Sequence, residues 1–555
     1  MHTKMPIGIE DFKEAREQYY VVDKTDFISR FIDNHAKVTL FTRPRRFGKT
    51  FTMSMLEYFF SIDKAVDGAT LFRDMTIGRD HPEKLAEQGK YPVIFMSLKG
   101  LQQNSWSQLY GAFTFLIQKE FLKYDYVWQS DVVKQAERTY CERIVAGTAQ
   151  PFEYQVSLWQ LTEFLSRYFK RNAIILLDEY DVPIQTAYTY GFYDEAMNFF
   201  KVWFNNTLKN NSFLHFAVLT GVLRVAKESI FSGLNNLDVY SVLNQEYGDV
   251  FGFTESEIRA MATALGYADK IEEIRKWYDG YRFGNTDIYN PWSVLKYVAS
   301  ACQPAPYWIS TSDNGILQDL LRHVTPIQLE LLQGLLKDQP LTTGLHETVA
   351  YGALGTDKSA LYTMLLMTGY LTVNRPSVIG DERYSLQIPN EEIKRVYSNE
   401  ILNTLVTGLT RNTFDDLFDF LLLGQVRQFE EQLQQILVQF VSVYDTANRE
   451  SFYQGFMLGM IALFLHKGYV VESNRESGYG RFDIAIFPEN HTQPGVILEF
   501  KVAGSAGELD GKAHEAVQQI ETKSYVAEFH KRQIQQVWKY GIAFCGKHVK
   551  IAKSV

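Results

Sequence analysis

The sequence predicts an α/β multidomain chain, and three observations predict it. Over the first ~250 residues short apolar runs alternate with amphipathic stretches, from 251 to about 400 the pattern is mostly helical, and a second alternation closes the chain. Strands alternating with helices argue for a parallel sheet covered on both faces, an αβα sandwich. The strand-like runs of the first block are Val38–Phe41, Val93–Met96, Ala173–Leu177 and Phe213–Leu219. In the middle block, strand-like returns at Tyr370–Val373 and Tyr384–Ile388 give a helical lid a winged-helix-like end. Leu417 to Val443 reads as a Gln-rich helical connector. The last block reads as helix Phe452–Leu465, strands Tyr469–Glu472, Phe482–Phe487 and Val496–Lys501, helix Ala513–Phe529 and a closing strand Tyr540–Phe544. The expected boundaries are therefore 1–250, 251–400, 401–445 and 446–555.

Composition narrows the class. With 555 residues, 46% hydrophobic and 22% charged, the chain can bury several cores, and disorder is excluded as its general state. No apolar run approaches the roughly 20 residues that span a bilayer, and Met1–Pro6 lacks the apolar region of a signal peptide. The expectation is a cytoplasmic protein without membrane partners. Cys141, Cys302 and Cys545 are odd in number and far apart, so they read as core thiols rather than disulfides or zinc ligands. The net charge of −9 argues against a generally basic coat, yet residues 501–555 hold nine Lys/Arg against five Asp/Glu. That local excess suits contact with phosphate.

The run Val38-Thr39-Leu40-Phe41 leads into Arg43-Pro44-Arg45-Arg46-Phe47-Gly48-Lys49-Thr50 and then an apolar helix pattern, Phe51 to Phe60. A strand, a tight loop, Gly-Lys-Thr and a helix form the mechanical basis of a P-loop. Backbone N–H groups around Arg46, Phe47 and Gly48 surround phosphates, Lys49 reaches the β/γ oxygens, and the Thr50 hydroxyl ligates Mg²⁺. Arg43 stands where the general pattern has its first glycine. Downstream, Ile174-Ile175-Leu176-Leu177-Asp178-Glu179 is an apolar strand ending in two acids. Asp178 suits the Mg²⁺ shell and Glu179 suits activation of the attacking water. Thr220, at the end of the following strand, is a candidate sensor of the γ-phosphate. Arg224, one turn on, is a candidate phosphate contact within its own subunit or a neighbouring copy, which would make the protein a homo-oligomer. Trp277, Tyr278, Tyr281 and Trp292 read as lid core, and His215 shows no metal-ligand spacing.

A second chemistry stands near the C-terminus. Gly480-Arg481-Phe482-Asp483 is followed, sixteen residues after the Asp, by Glu499-Phe500-Lys501, and the two-residue period of a strand puts Glu499 and Lys501 on one face. Asp483 and Glu499 supply hard oxygens for Mg²⁺, with Mn²⁺ as the alternative ion, while Lys501 orients a water. Glu450 opens the preceding helix and is a candidate to complete the site. Gln519, sharing a helix face with Lys523, is a candidate contact to the site or to the nucleic-acid backbone.

The loop Arg43–Thr50, with Val21-Val22-Asp23-Lys24-Thr25, Leu177-Asp178-Glu179-Tyr180-Asp181, Thr220-Gly221-Val222, Trp277-Tyr278-Asp279-Gly280-Tyr281 and Tyr289-Asn290-Pro291-Trp292-Ser293, resembles the bacterial AAA-ATPase-like family over roughly residues 5–300. In that family an Arg in place of the first glycine is usual. The helix, hairpin, Glu-x-Lys strand and Gln/Lys helix over ~450–545 resemble the PD-(D/E)XK nuclease superfamily, in the subgroup often fused behind that ATPase. The resemblance implies ATP binding and hydrolysis, Mg²⁺, and a nuclease-like domain acting on nucleic acid, with DNA expected. A role in mobile-element handling or defence follows from fold analogy alone. The alternative is a regulatory NTPase switch whose C-terminal domain binds nucleic acid or a partner without cleaving it.

Overall fold

The computed structural model describes the chain apart from residues 1–2, 35, 210, 225–235, 309–325, 337, 346–357, 376–382, 398–410, 441–452, 454–455, 458–459, 462–467, 474–475, 478–479, 524 and 555. Two compact units account for it: Met1–Asp313 with Asp338–Lys394, and Asn314–Lys337 with Arg395–Val555.

In the first unit β1 (Val38–Thr42), β2 (Val93–Ser97), β3 (Ala173–Asp178), β4 (Leu214–Gly221) and β5 (Leu237–Tyr240) form a sheet in the order β2-β3-β4-β1-β5. Every pairing is parallel. β1 and β3 are buried along their whole length because helices cover both faces, which is why they read as unbroken apolar runs. The sequence reading lacked β5, a four-residue edge strand that is half-exposed. In register, Phe41 lies beside Thr220 and Ser97 beside Asp178. The ends of β1, β3 and β4 therefore meet at one edge of the sheet, where open parallel sheets bind ligands.

Residues 251–313 and 338–394 belong to the same unit, and 314–337 to the second. A capping box at Thr254 and Glu257 starts helix Glu255–Leu265, which packs with helices Ile271–Tyr278 and Pro291–Ala299 around Ile258, Ile274, Trp277, Tyr278 and Tyr297. Trp277, Tyr278 and Tyr281 are buried, as expected of core residues. The hairpin β6 (Tyr281–Phe283) and β7 (Thr286–Ile288) follows Gly280. Gly280 has φ +92°, and a side chain there would collide with the backbone of Pro389. Helix Lys358–Thr368 precedes two strands of an antiparallel sheet ordered β8-β10-β9, made of β8 (Leu341–Gly344), β9 (Thr372–Arg375) and β10 (Arg383–Gln387).

The second unit is built on β11 (Tyr469–Ser473), β14 (Ile484–Pro488), β15 (Gly495–Val502), β16 (Val537–Cys545) and β17 (His548–Ser554), in that spatial order. Between β11 and β14 runs a short hairpin, β12 (Glu476–Ser477) with β13 (Gly480–Arg481). Only β15 and β16 pair in parallel. β17 was not read from the sequence. One face of β15 carries Val496, Leu498 and Phe500 into a core with Leu417, Phe418, Phe429, Leu433 and Leu437. Those five residues come from helices Arg411–Leu422 and Val426–Phe440. The segment read as a connector thus lies in the core of this unit, broken at Gly424 (φ +72°). The expected helix Phe452–Leu465 falls largely outside the described residues. On the opposite face, helix Leu509–Thr522 seats Ala513 and Val517 against Ala503, Ala543 and Ala552.

Candidate functional site

Arg43 directly follows β1 and is fully buried. Its guanidinium donates to the carbonyls of Thr42 (2.9 Å), Tyr240 (2.8 Å) and Tyr247 (3.1 Å), and lies between the rings of Phe251 and Phe283. Burial pulls its pKa down to about 9, against the opposing pull of Asp249. The residue that breaks the usual glycine pattern therefore gives its guanidinium to backbone carbonyls and pins the loop's entry to β5 and to the segment behind it.

The loop turns through Arg46 (φ +70°) and Gly48 (φ +84°), and Gly48 caps helix Lys49–Phe60 without a side-chain bond. This leaves the first N–H groups and positive end of the helix facing the end of the sheet. Phe47, expected among the nucleotide contacts, accepts the Gly252 N–H on its carbonyl at 3.2 Å. Its ring is buried against Tyr281 and Phe283, with centroids 4.9 and 5.2 Å away. The Arg46 side chain is engaged by residues much later in the chain. Its guanidinium lies 4.7 Å over the Trp292 ring and donates to the carbonyl of Trp308 at 3.0 Å. Half-buried Trp292 is therefore a support for the loop as well as a packing residue.

Lys49 is buried, and its Nζ donates to the carbonyls of Arg43 (3.0 Å) and Pro44 (2.9 Å). Burial pulls its pKa down, opposed by Asp178, Glu179 and Asp181. Asp178 gathers the hydroxyls of both neighbouring elements. Thr50 donates to its Oδ2 at 2.6 Å and Thr220 to its Oδ1. A Thr hydroxyl and a carboxylate so close present the hard oxygens that suit Mg²⁺. Glu179 adopts φ +55°, a left-handed conformation uncommon outside glycine. Burial and then Asp178 push its carboxyl pKa up, against Lys49 and Lys99. Arg224 lies half-buried just beyond β4, immediately before residues outside the described set.

In the second unit Asp483 precedes β14 instead of lying on it, and its Oδ2 accepts the N–H of Phe500 at 2.8 Å. Ile484 pairs with Leu498, so one step further the register sets Asp483 beside Glu499. Glu499 is buried, accepts a hydrogen bond from the Gln519 side chain, and has Lys501 Nζ 4.0 Å from its Oε1. The helix bearing Gln519 comes this close because Gly541, the β16 partner of Glu499, has no side chain to strike the backbone at Ala513 and Val517. Asp483, Glu499, Lys501 and Gln519 thus stand together. Glu450 lies outside the described residues. No group of three or more His, Cys, Asp or Glu placed to hold a metal occurs among the described residues. Two carboxylates still fit a hydrated Mg²⁺, which keeps several waters and takes one or two such ligands.

Sequence reasoning missed the grip of Arg43, the pairing of Arg46 with Trp292, and Asp181, whose Oδ2 accepts the N–H groups of Val222 and Leu223, each at 2.8 Å. Asp181 stood inside a quoted motif, but nothing local announced its partners forty residues away.

Residues 6–231 match the family model described as a predicted AAA-ATPase, and residues 448–554 match the model of the PD-(D/E)XK nuclease superfamily. An uncharacterized protein from the vnfD 5′ region of Azotobacter chroococcum mcd 1 is 27% identical over 545 residues, 95% of this chain and 94% of its own length. The likeness spans both matched regions. No helix among the described residues is long and apolar enough to cross a membrane. The β1–loop–helix edge with Asp178, and the Asp483–Glu499–Lys501 cluster, fall within the two matched regions, so this chain joins a predicted AAA-ATPase domain to a PD-(D/E)XK nuclease superfamily domain.

Proposed function

We propose that the chain is a cytoplasmic ATPase whose C-terminal domain cuts DNA in a Mg²⁺-dependent reaction. The observation that carries the ATPase half is the convergence of the Thr50 and Thr220 hydroxyls on Asp178, the residue before Glu179. In this reading the loop amides and Lys49 bind the β/γ-phosphates, with Lys49 turning from the Arg43 and Pro44 carbonyls. Thr50 and Asp178 would hold the ion, which when bound would neutralise charge on the transferred phosphoryl group. Glu179, its carboxyl pKa pushed up, takes the proton of the attacking water, and Thr220 and Arg224 address the γ-phosphate. Residues 251–400, with a winged-helix-like end, are proposed as the lid.

In the nuclease half, Asp483 and Glu499 would hold the ion and Lys501 would orient the attacking water, while Gln519 fixes the Glu499 carboxylate. Glu450 is proposed to complete the shell. The basic excess of residues 501–555 supports backbone contact with DNA. The test is incubation of the purified protein with labelled DNA and RNA, with and without Mg²⁺, Mn²⁺ and ATP. The expected result is metal-dependent DNA cleavage and, separately, ATP hydrolysis. Binding without cleavage under every condition would favour the regulatory switch.

A further inference from the structure

Tyr180 and Asp181 complete the strand-end motif Leu177-Asp178-Glu179-Tyr180-Asp181, yet the proposed chemistry uses neither. Both are buried, at 0% and 2% exposure. Asp181 Oδ2 accepts the N–H groups of Val222 and Leu223, and the Tyr180 hydroxyl donates to the Leu223 carbonyl at 2.6 Å. The Tyr180 N–H donates to the Thr220 carbonyl at 3.0 Å. Gly221 sits inside this grip. A Cβ there would stand 2.7 Å from both Asp181 Oδ1 and the Tyr180 ring. Four hydrogen bonds and a glycine thus lock the turn after β3 to the exit of β4.

What the lock encloses is the candidate chemistry. Glu179, immediately before it, is in the left-handed region, and such a conformation persists only where its surroundings over-determine it. Thr220, at the other side, is bonded to Asp178, and Arg224 directly follows the gripped Leu223. Two carboxylate-to-amide bonds are stronger than neutral ones and aim the backbone with little freedom.

We infer that Asp181 and Tyr180 are positioning residues for ATP hydrolysis, holding Glu179 in its left-handed conformation and fixing Thr220 and Arg224 relative to it. The inference rests on the ATPase reading above. It concerns turnover, since neither residue belongs to the loop that receives the phosphates.

The test compares Asp181→Ala, Asp181→Asn and Gly221→Ala with wild type by fluorescent-nucleotide titration, steady-state ATP hydrolysis, thermal melting and amide hydrogen exchange. Asp181→Ala removes the acceptor, while Gly221→Ala leaves every hydrogen-bonding group present and wedges the grip open. Both are expected to keep nucleotide affinity while kcat falls on the order of 100-fold, the scale of a misplacement of about 1 Å. Asp181→Asn, whose side-chain oxygen accepts the same two N–H groups, is expected to restore most of the rate. Exchange at Val222 and Leu223 is expected to quicken in the two alanine variants and not in Asp181→Asn. Wild-type kcat in Asp181→Ala would overturn the inference. So would a fall of affinity and kcat in step with the melting temperature, the mark of general fold support. If the wild type hydrolyses no ATP, the ATPase reading fails on its own. The inference is then decided by exchange, where equal rates at Val222 and Leu223 in wild type and Asp181→Ala overturn it.

Discussion

In the proposed reading Lys49 and Glu179 divide the work at the nucleotide site, one meeting phosphate and the other water. Lys49→Ala is expected to abolish nucleotide binding, whereas Glu179→Gln keeps binding and loses turnover. A fluorescent-nucleotide titration checks the first, and equal affinities of wild type and Lys49→Ala would contradict it. Arg43 carries a less obvious expectation. Replacing it by glycine makes the loop more like the general phosphate-loop pattern, yet leaves the carbonyls of Tyr240 and Tyr247 without their buried donor. The cost should be about 3 kcal/mol or more, read as a fall in melting temperature, because buried acceptors stripped of a charged donor lose their full desolvation. An unchanged melt would show that the grip is not structural. Residue types and spacing made Lys49, Thr50, Asp178, Asp483, Glu499 and Lys501 legible in the sequence, since their chemistry follows from short local patterns. Arg43, Arg46 and Asp181 were not legible, because each acts through partners between 41 and 262 residues distant.

At the scale of elements, one tie of the phosphate loop runs through Trp308 to a buried acid. Glu392 accepts the Ser293 hydroxyl (2.8 Å) and the Trp308 N–H (2.7 Å), while Trp308 receives Arg46 and its ring nitrogen donates to Arg45 at 3.4 Å. Burial lifts the Glu392 pKa from 4.5 to about 7, against those hydrogen bonds and Arg46. An acid with a raised folded-state pKa binds more protons folded than unfolded. Its stabilising contribution is therefore full below the unfolded value and is lost as pH rises toward about 7. The difference approaches about 3 kcal/mol at 1.36 kcal/mol per unit. Melting of wild type against Glu392→Gln from about pH 5 to about pH 7.5 is expected to show a decline in the wild type that the variant lacks; parallel curves would contradict it. In the second unit Gly541→Ala is expected to lift helix Leu509–Thr522 from β16 and separate Gln519 from Glu499. Cleavage would fall while ATP hydrolysis holds, and wild-type cleavage by this variant would remove Gln519 from the site. Long apolar strands and amphipathic helices were legible because burial writes a period into the sequence. β5 and β17 were missed because a four-residue edge strand and the polar alternation of His548–Ser554 carry too little apolar signal. Helices 411–422 and 426–440 read as a connector because the sheet they cover lies later in the chain.

For the whole molecule, two candidate sites share one polypeptide and belong to different units, so they are expected to be separable. Nucleotide can bias the second site only if it binds two arrangements of the chain unequally, and a swing from mostly closed to mostly open needs roughly 5 kcal/mol of difference. Separability comes first. The direct measurement is ATP hydrolysis and cleavage of labelled DNA, run side by side in Mg²⁺ on wild type, Glu179→Gln and Glu499→Ala. The expected result is that Glu179→Gln loses hydrolysis and still binds nucleotide, while Glu499→Ala loses cleavage and keeps wild-type hydrolysis. Cleavage by Glu499→Ala at the wild-type rate, or hydrolysis that survives Glu179→Gln undiminished, would contradict it.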